Sequence, residues 1–272
     1  MRADGDAAMT DDLSPLLESW RFNPNDENKN IRVIRGLDGK PKIQVRVRCG
    51  VFQWEYEGRP DGSTPYGYPS LLDFYRDAIE HLRRQEGPNA SLKLNRTQQA
   101  EINEEIMDYY QRRILFFRLG EYRRARDDAQ HNLDLMDIIR EHSDDPEAII
   151  EHEKWRPFVT MDRTRAEALM AAERGDYVGC IETIEAGIEE IAEIFRRQGR
   201  EDAIEESQEI AALKDLKAQL RETYDIPLTK KEILESLREE QAKAIAEEDY
   251  ERAARIRDEI SHFENQEPSE NP

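Results

Sequence analysis

The sequence predicts a mainly α-helical fold in which a small antiparallel β-meander precedes a series of αα-hairpins. Apolar and polar residues alternate between positions 31 and 57, which is typical of half-buried strands. After position 70 the apolar residues recur every three or four positions, which is typical of helices. Charged residues make up 37% of the chain and hydrophobic residues 38%. That balance favours helices packed locally in an array over one large core.

Composition excludes several classes of protein. The net charge of −20 argues against attraction of the whole surface to nucleic acid or to an anionic membrane. No apolar run approaches the roughly 20 residues of a membrane span, and the first residues contain no signal-peptide core. The two cysteines, Cys49 and Cys180, are far apart in the sequence. We therefore expect a cytoplasmic protein without a cofactor and without a membrane partner.

The chain divides by composition into five segments. Residues 1–19 are rich in Asp and poor in aromatics, which predicts a flexible N-terminus. Residues 20–69 hold the predicted meander and a loop rich in Gly and Pro. Residues 70–226 are predicted to form helical hairpins, and residues 227–264 one further hairpin. Residues 265–272 contain two prolines and are expected to be a flexible tail.

The alternation in the meander also predicts a register. Folding the chain at Cys49-Gly50 puts apolar side chains opposite each other on one face and polar side chains on the other. The predicted pairs are Val47 with Phe52, Val45 with Trp54, Ile43 with Tyr56, Gln44 with Glu55 and Lys42 with Glu57. A third strand is expected at Ile31 to Arg35, and the following helices are expected to cover the apolar face.

Gly and Pro punctuate the helical region. The predicted helices span 70–86, 97–118, 121–141, 160–173, 176–198, 201–222, 229–247 and 249–263. Ser70 is expected to cap the first of them, and Arg156-Pro157 is expected to be a break. An acidic residue and a Tyr follow the breaks near Gly120, Gly175 and Glu247, with a small residue three positions after the Tyr. One type of helix–helix turn is therefore expected three times.

Leu119-Gly120-Glu121-Tyr122 with Ala125 resembles the turn of tetratricopeptide repeats. The resemblance implies that Gly forms a left-handed cap, Tyr fills the wedge between helices and Ala allows close approach. The turn tyrosines Tyr122 and Tyr177 lie 55 positions apart (177 − 122), whereas a strict repeat would be about 34. An ordinary helical bundle is therefore the alternative for residues 97–222.

The segment 229–264 resembles the UVR motif of excision-nuclease subunits B and C and of regulators of Clp proteases. The matching residues are Glu248-Asp249-Tyr250-Glu251, Ala253-Ala254 and Arg257-Asp258. Thr229 is expected to cap its first helix. Ala244 and Ile245 are expected in the apolar stripe of that helix, and Tyr250 and Phe263 in the stripe of the next. Two short helices cannot hide their apolar faces alone.

The resemblance implies contact with a protein partner, either another UVR-motif protein or a second copy of this chain. The expected contact residues are Tyr250, Glu251, Ala254, Arg257 and Asp258, with Tyr250 and the alanines packing and the charges setting partner choice. The segment holds seven Lys/Arg and eleven Asp/Glu, which disfavours direct binding of DNA by the motif. The alternative is that the hairpin only caps the helical array.

No catalytic signature is found. The sequence lacks GxxxxGK[ST], GxGxxG, HExxH and the Cys pairs of the Clp regulators, so we expect a non-catalytic adaptor or scaffold. A metalloenzyme is a rival reading, with candidate ligands at Asp128 and His131 or around His142 and His152. A regulator of Clp-type proteolysis is another rival. Polar helix faces commonly produce such His and Asp pairs without binding metal.

One segment departs from the acidic average. Residues 20–60 contain nine Lys/Arg and five Asp/Glu. Arg32, Lys42, Arg46 and Arg48 are predicted to share one face of the sheet, although acidic residues on that face would partly neutralise them. The alternative function is therefore a nucleotide-excision accessory protein that contacts nucleic acid through this basic face.

Overall fold

A computed structural model describes residues 12–228 and 230–265. The chain forms two compact units, with the boundary between Lys217 and Ala218. The N-terminal residues 1–11, the expected cap at Thr229 and the tail residues 266–272 lie outside the described residues.

The helices and strands follow the predicted order. The strands are β1 Ile31–Arg35, β2 Pro41–Val47 and β3 Gly50–Glu55. The helices are α1 Ser14–Ser19, α2 Leu71–Glu86, α3 Arg96–Leu119, α4 Tyr122–His142, α5 Pro146–Glu153, α6 Arg156–Glu173, α7 Tyr177–Arg197, α8 Ala203–Glu206, α9 Gln208–Tyr224, α10 Lys230–Ala246 and α11 Tyr250–Asn265. The predicted fold class, mainly helical with one small antiparallel sheet, is confirmed.

The strands form an antiparallel meander in the order β1-β2-β3, but the predicted register of its second hairpin is wrong by two residues. Val45 lies opposite Phe52, and Lys42 lies opposite Glu55. The chain turns at Arg48-Cys49, so that Val47 pairs with Gly50. The guanidinium of Arg46 donates to the carbonyls of Val47 and Gly50 and ties this earlier turn. Because the shift is two residues, every side chain stays on its predicted face.

The helices differ from the predictions mainly at four places. Ser14–Ser19 form a helix within the segment expected to be flexible, with Pro15 in its first turn. Pro146–Glu153 form a helix that was not predicted, capped by the side chain of Asp145. Pro157 lies in the first turn of α6 instead of breaking a helix, since a first-turn proline has no N–H bond to lose. The predicted helix 201–222 is divided at Ser207, whose Oγ accepts from the N–H of Ile210 at 3.2 Å.

The helices of the first unit cover the sheet, as predicted. Ile43 is fully buried in a cluster with Leu115, Phe116 and Ala125. The ring of Tyr56 meets that of Phe116 edge-on, with centroids 5.3 Å apart. Ser70 caps α2 by accepting from the N–H of Asp73, which confirms the predicted cap. The apolar face of the meander is therefore part of the core of the first unit.

The predicted turn occurs three times with one geometry. Gly120, Gly175 and Glu248 have φ of 73°, 76° and 59°. In each case the next N–H donates to the carbonyl five residues earlier, at 2.9 Å, 3.0 Å and 2.9 Å respectively. This is the Schellman arrangement of a left-handed helix end. Three residues after each turn Tyr, a small residue is buried: Ala125, Cys180 and Ala253.

Candidate interaction surface on the C-terminal hairpin

Helices α10 and α11 pack against each other as an αα-hairpin within the second unit. The core of the hairpin consists of Ala244, Ala253, Ile256 and Ile260, with Leu234 and Leu237 packed against it. The buried residues of α11 recur at spacings of three and four, so they form one stripe. The small side chains at Ala244 and Ala253 allow the two helices to approach closely beside the turn.

The turn of the hairpin is closed by its own backbone and one carboxylate. Glu248 takes the left-handed conformation, and the N–H of Asp249 donates to the carbonyl of Ala244 at 2.9 Å. The side chain of Asp249 then accepts from the N–H of Arg252 at 3.0 Å. Asp249 therefore caps α11, since an N-cap carboxylate satisfies a first-turn N–H.

Two residues predicted to pack in the hairpin are exposed instead. Ile245 is 51% exposed and Tyr250 is 68% exposed. Ile245 directly follows the fully buried Ala244, and one residue along a helix turns the side chain by about 100°. Tyr250 is the first residue of α11 and does not fill the wedge between the helices. The expected packing role of Tyr250 within the hairpin is therefore wrong, and two large apolar side chains flank the turn in solvent.

The five predicted contact residues lie along one face of α11. Tyr250, Glu251, Arg257 and Asp258 are exposed, and Ala254 is half-buried. Positions 250, 254 and 257 follow helical spacing and lie on a different face from the buried stripe 253, 256 and 260. We call this set of five residues the α11 face. Binding of a partner at the α11 face stays a prediction.

The charges of the α11 face are weakly held. Arg257 Nη2 lies 2.9 Å from Asp258 Oδ1, and the two side chains are 67% and 72% exposed. An ion pair this exposed contributes little to stability because water screens both charges. Both groups can therefore exchange this contact for one with a partner at small cost.

Three of the four cations predicted to form a basic sheet face, Arg32, Lys42 and Arg46, lie on one face, and the chain itself engages all three. The fourth, Arg48, lies in the turn between β2 and β3. Arg46 is buried and donates to the carbonyl oxygens of Trp20 at 2.7 Å and Gly50 at 3.0 Å. Lys42 donates to Asp38 at 3.0 Å and also to Glu55, and hydrogen bonds with Glu55 and Asp38 raise the pKa of Lys42.

Arg32 lies over the ring of Trp20 at 3.9 Å and donates to Gln44 Oε1. The expected partner of Lys42, Glu57, instead accepts from Arg124 at 3.2 Å. Arg48 is exposed. Binding of nucleic acid at this face stays a prediction, with Arg48 as its most accessible cation.

The candidate metal ligands bond to other groups. The carboxylate of Asp128 accepts hydrogen bonds from Arg112 Nη2 at 2.6 Å and from Arg112 Nε at 2.9 Å. His131 Nε2 lies 2.8 Å from a Glu105 oxygen, and its ring stacks on Tyr109 with centroids 3.6 Å apart. Within residues 12–228 and 230–265, no group of three or more His, Cys, Asp or Glu is arranged to hold a metal ion.

The other two candidate histidines have different surroundings. His142 Nδ1 lies 2.8 Å from the hydroxyl of Ser91, and His152 lines a cavity that His142 does not reach. Burial lowers the pKa of both imidazoles. Both rings are therefore held in an environment that favours the neutral form.

Sequence reasoning missed a set of buried charged residues in the first unit. Glu105 is fully buried and accepts from the backbone N–H groups of Leu71 and Leu72, so it holds the start of α2. Arg112 donates to the carbonyls of Glu55 and Gly58 and so ties α3 to the end of the sheet. The available signal is Arg112-Arg113, which stands between Tyr109 and Phe116 in a stretch of α3 where Gln111 is the one other polar side chain.

Comparison with protein families supports the resemblance at the C-terminus. The family model described as the UvrB/uvrC motif matches residues 231–266, about an eighth of the chain. Searches of curated proteins and of solved structures find no match. The motif is a module for interaction with proteins or DNA, which is consistent with an adaptor or a repair-related role. The likeness of residues 97–222 to tetratricopeptide repeats stays a resemblance.

Among the described residues, no helix combines the length and the apolar character needed to cross a bilayer.

Proposed function

We propose that the chain is a non-catalytic adaptor that binds another protein through the α11 face of its C-terminal hairpin. The observation that carries the proposal is the 68% exposure of Tyr250 within a segment that matches an interaction motif. Tyr is among the residues that most often anchor protein interfaces, because its large ring gains much contact area for little lost freedom. Ile245, 51% exposed at the same end of the hairpin, adds apolar area.

The partner we propose is a second UVR-type hairpin, from another protein or from a second copy of this chain. The α11 face carries a positive and a negative group side by side, at Arg257 and Asp258. When two such faces meet about a two-fold axis, each Arg257 approaches the Asp258 of the other copy. A related hairpin that carries one positive and one negative group on its face can form the same two ion pairs. Electrostatic complementarity of this kind selects the partner and its orientation.

A cytoplasmic setting belongs to the same proposal. Cys49 is exposed and Cys180 is buried, and both are free thiols. Free thiols fit a reducing compartment better than an oxidising one.

The experiment compares the full chain with three single variants. Tyr250→Ala removes the proposed anchor, and Arg257→Asp removes the mixed charge pattern. Tyr177→Ala is the matched control, because Tyr177 occupies the same position after the turn at Gly175. Self-association is measured by sedimentation at several concentrations, and hetero-association by affinity capture with and without residues 229–272.

We expect Tyr250→Ala to weaken association by about 30-fold, the effect of a hot-spot residue of about 2 kcal/mol, and Tyr177→Ala to leave it unchanged. Combining Arg257→Asp with Asp258→Arg should restore a two-fold contact that Arg257→Asp weakens. A chain that stays monomeric and captures the same proteins without residues 229–272 would end the adaptor proposal.

A further inference from the structure

The first unit contains a cavity that the proposed adaptor function does not use. It lies among α3, α4, α5 and α6 and has a volume of about 760 Å³. Volumes of this order hold small organic ligands in other proteins. Its apolar wall includes Met107, Tyr110, Met136, Trp155 and Phe158. Met107 and Trp155 are 44% and 56% exposed, so large apolar side chains of the wall reach solvent.

One wall of the cavity carries a buried cation with two unused donor groups. Arg113 is 0% exposed, and its Nε donates to Asp162 Oδ2 at 2.8 Å. Its Nη1 and Nη2 find no acceptor among the described residues. Its guanidinium lies over the ring of Tyr110 at 5.2 Å, and both residues line the cavity. Because buried donors without partners are costly, this wall is suited to a molecule that brings an acceptor.

A second buried group on the cavity wall is an acceptor without a donor. Asn132 is 0% exposed, and its Nδ2 donates to the carbonyl of Ile106 at 3.0 Å. That bond fixes which end of the side-chain amide is the oxygen. Its Oδ1 finds no donor among the described residues. Two residues that line the cavity therefore hold buried polar groups without partners, donors at Arg113 and an acceptor at Asn132.

The charges around the cavity disfavour an anion. Asp162 already accepts from Arg113, so the cation is paired with one carboxylate. Asp145, Glu147 and Glu151 also line the cavity, against one further cation at Arg96. A carboxylate ligand would be the second negative group on one guanidinium and would meet three more carboxylates. An uncharged acceptor avoids both costs.

We propose that this cavity binds a small uncharged organic molecule with an aromatic or aliphatic body and an amide group. The body lies against Tyr110, Met136 and Phe158. The amide carbonyl accepts from Arg113, and the amide N–H donates to Asn132. The cavity lies wholly within the first unit, so this proposal stands or fails independently of the hairpin.

Three related probes test the proposal on the full chain by ligand-observed NMR titration. N-methylbenzamide carries a carbonyl and an N–H, methyl benzoate lacks the N–H, and benzoate is an anion. We expect N-methylbenzamide to bind about tenfold more tightly than either of the others, the effect of roughly one additional buried hydrogen bond. Tighter binding of benzoate, or no binding of any probe, would overturn the proposal.

Two tryptophan variants locate the bound probe. Ala100 lines the cavity from an exposed position of α3, so Ala100→Trp should block it without loss of folding. Gln111 is exposed on the same helix and does not line the cavity, so Gln111→Trp is the control. We expect Ala100→Trp to abolish binding of N-methylbenzamide and Gln111→Trp to retain it. Equal affinities in the two variants would place the probe elsewhere and refute the site.

A change at Arg113 tests the hydrogen bonds themselves. Arg113→Lys keeps a cation for Asp162 but removes the paired Nη donors. In this variant we expect the preference for N-methylbenzamide over propylbenzene, which has no polar group, to fall about tenfold. An unchanged preference would show that Arg113 does not contact the amide. Should Arg113→Lys fail to fold, Ala100→Trp and Gln111→Trp still decide whether the cavity binds the probe.

Discussion

At the scale of single residues, two arginines that are close in the sequence have different roles. Arg46 and Arg48 are two positions apart on β2 and its turn, and both belong to the basic segment 20–60. Arg46 is buried at 6% exposure and satisfies carbonyl oxygens of Trp20, Val47 and Gly50. Arg48 is exposed at the turn. A count of positive charges therefore overstates the cations that can reach a ligand.

The difference predicts opposite outcomes for one substitution. Arg46→Gln leaves carbonyl oxygens without their donor, so we expect the free energy of unfolding to fall by about 2–3 kcal/mol. Arg48→Gln changes a solvated side chain and should alter it by no more than about 0.5 kcal/mol. Urea denaturation followed by tryptophan fluorescence measures both values, since Trp20 and Trp54 belong to this region. Equal effects of the two changes would mean that Arg46 does not hold the turn.

At the scale of elements, the three helix–helix turns have the same backbone conformation but different residues at the left-handed position. Gly occupies it at positions 120 and 175, and Glu occupies it at 248. A residue with a Cβ pays about 1 kcal/mol or more in this conformation, whereas Gly does not. The C-terminal hairpin is therefore built with a strained turn that the other two hairpins lack.

Glu248→Gly should relieve that strain. We expect it to stabilise the hairpin by about 1 kcal/mol, measured as slower hydrogen exchange of the amides of Asp249 and Ala253 in the full chain. Glu247→Gly is the control, because Glu247 is not among the residues with positive φ. There the added backbone freedom should destabilise the hairpin by up to about 1 kcal/mol. Faster exchange in both variants would contradict the account of the turn.

Local patterns predicted the elements well because their causes are local. Ser70 caps α2 as expected, and the turn after Leu119 has the left-handed Gly that its sequence indicates. The register of β2 and β3 was missed because it depends on Arg46, whose bonds to Val47 and Gly50 move the turn by one position. Alternation of apolar and polar residues is unchanged by a shift of two, so the pattern alone does not distinguish the two registers.

The candidate sites were likewise predictable only where the cause is local. Helical spacing put Tyr250 in the apolar stripe of α11, whereas the structure buries Ala253 and Ile256 there and leaves Tyr250 exposed. The exposure of Tyr250 depends on how the chain leaves the turn at Glu248, which no periodic pattern encodes. The cavity was not predicted, because its polar groups at Arg113 and Asn132 lie on different helices and only packing brings both to one cavity.

At the scale of the whole molecule, the net charge of −20 and the internal use of the sheet cations decide how the chain meets nucleic acid. Binding to phosphates gains free energy mainly from cations that are free to replace counterions. On the sheet face, Arg32, Lys42 and Arg46 already contact Trp20, Glu55 and main-chain carbonyls. Of the four cations predicted for this face only Arg48 is exposed, and one cation does not offset the negative charge of the chain, so the proposed adaptor role needs no contact with DNA.

We therefore expect the full chain to show no salt-dependent binding of a single-stranded oligonucleotide. Fluorescence anisotropy at about 50 mM and 200 mM salt is the measurement, because a protein that contacts several phosphates loses orders of magnitude in affinity over this range. Arg48→Glu is the matched variant, since it reverses the exposed cation without touching the core. Binding that weakens steeply with salt and disappears in Arg48→Glu would favour the repair-accessory alternative, because both effects are expected when Arg48 contacts phosphates.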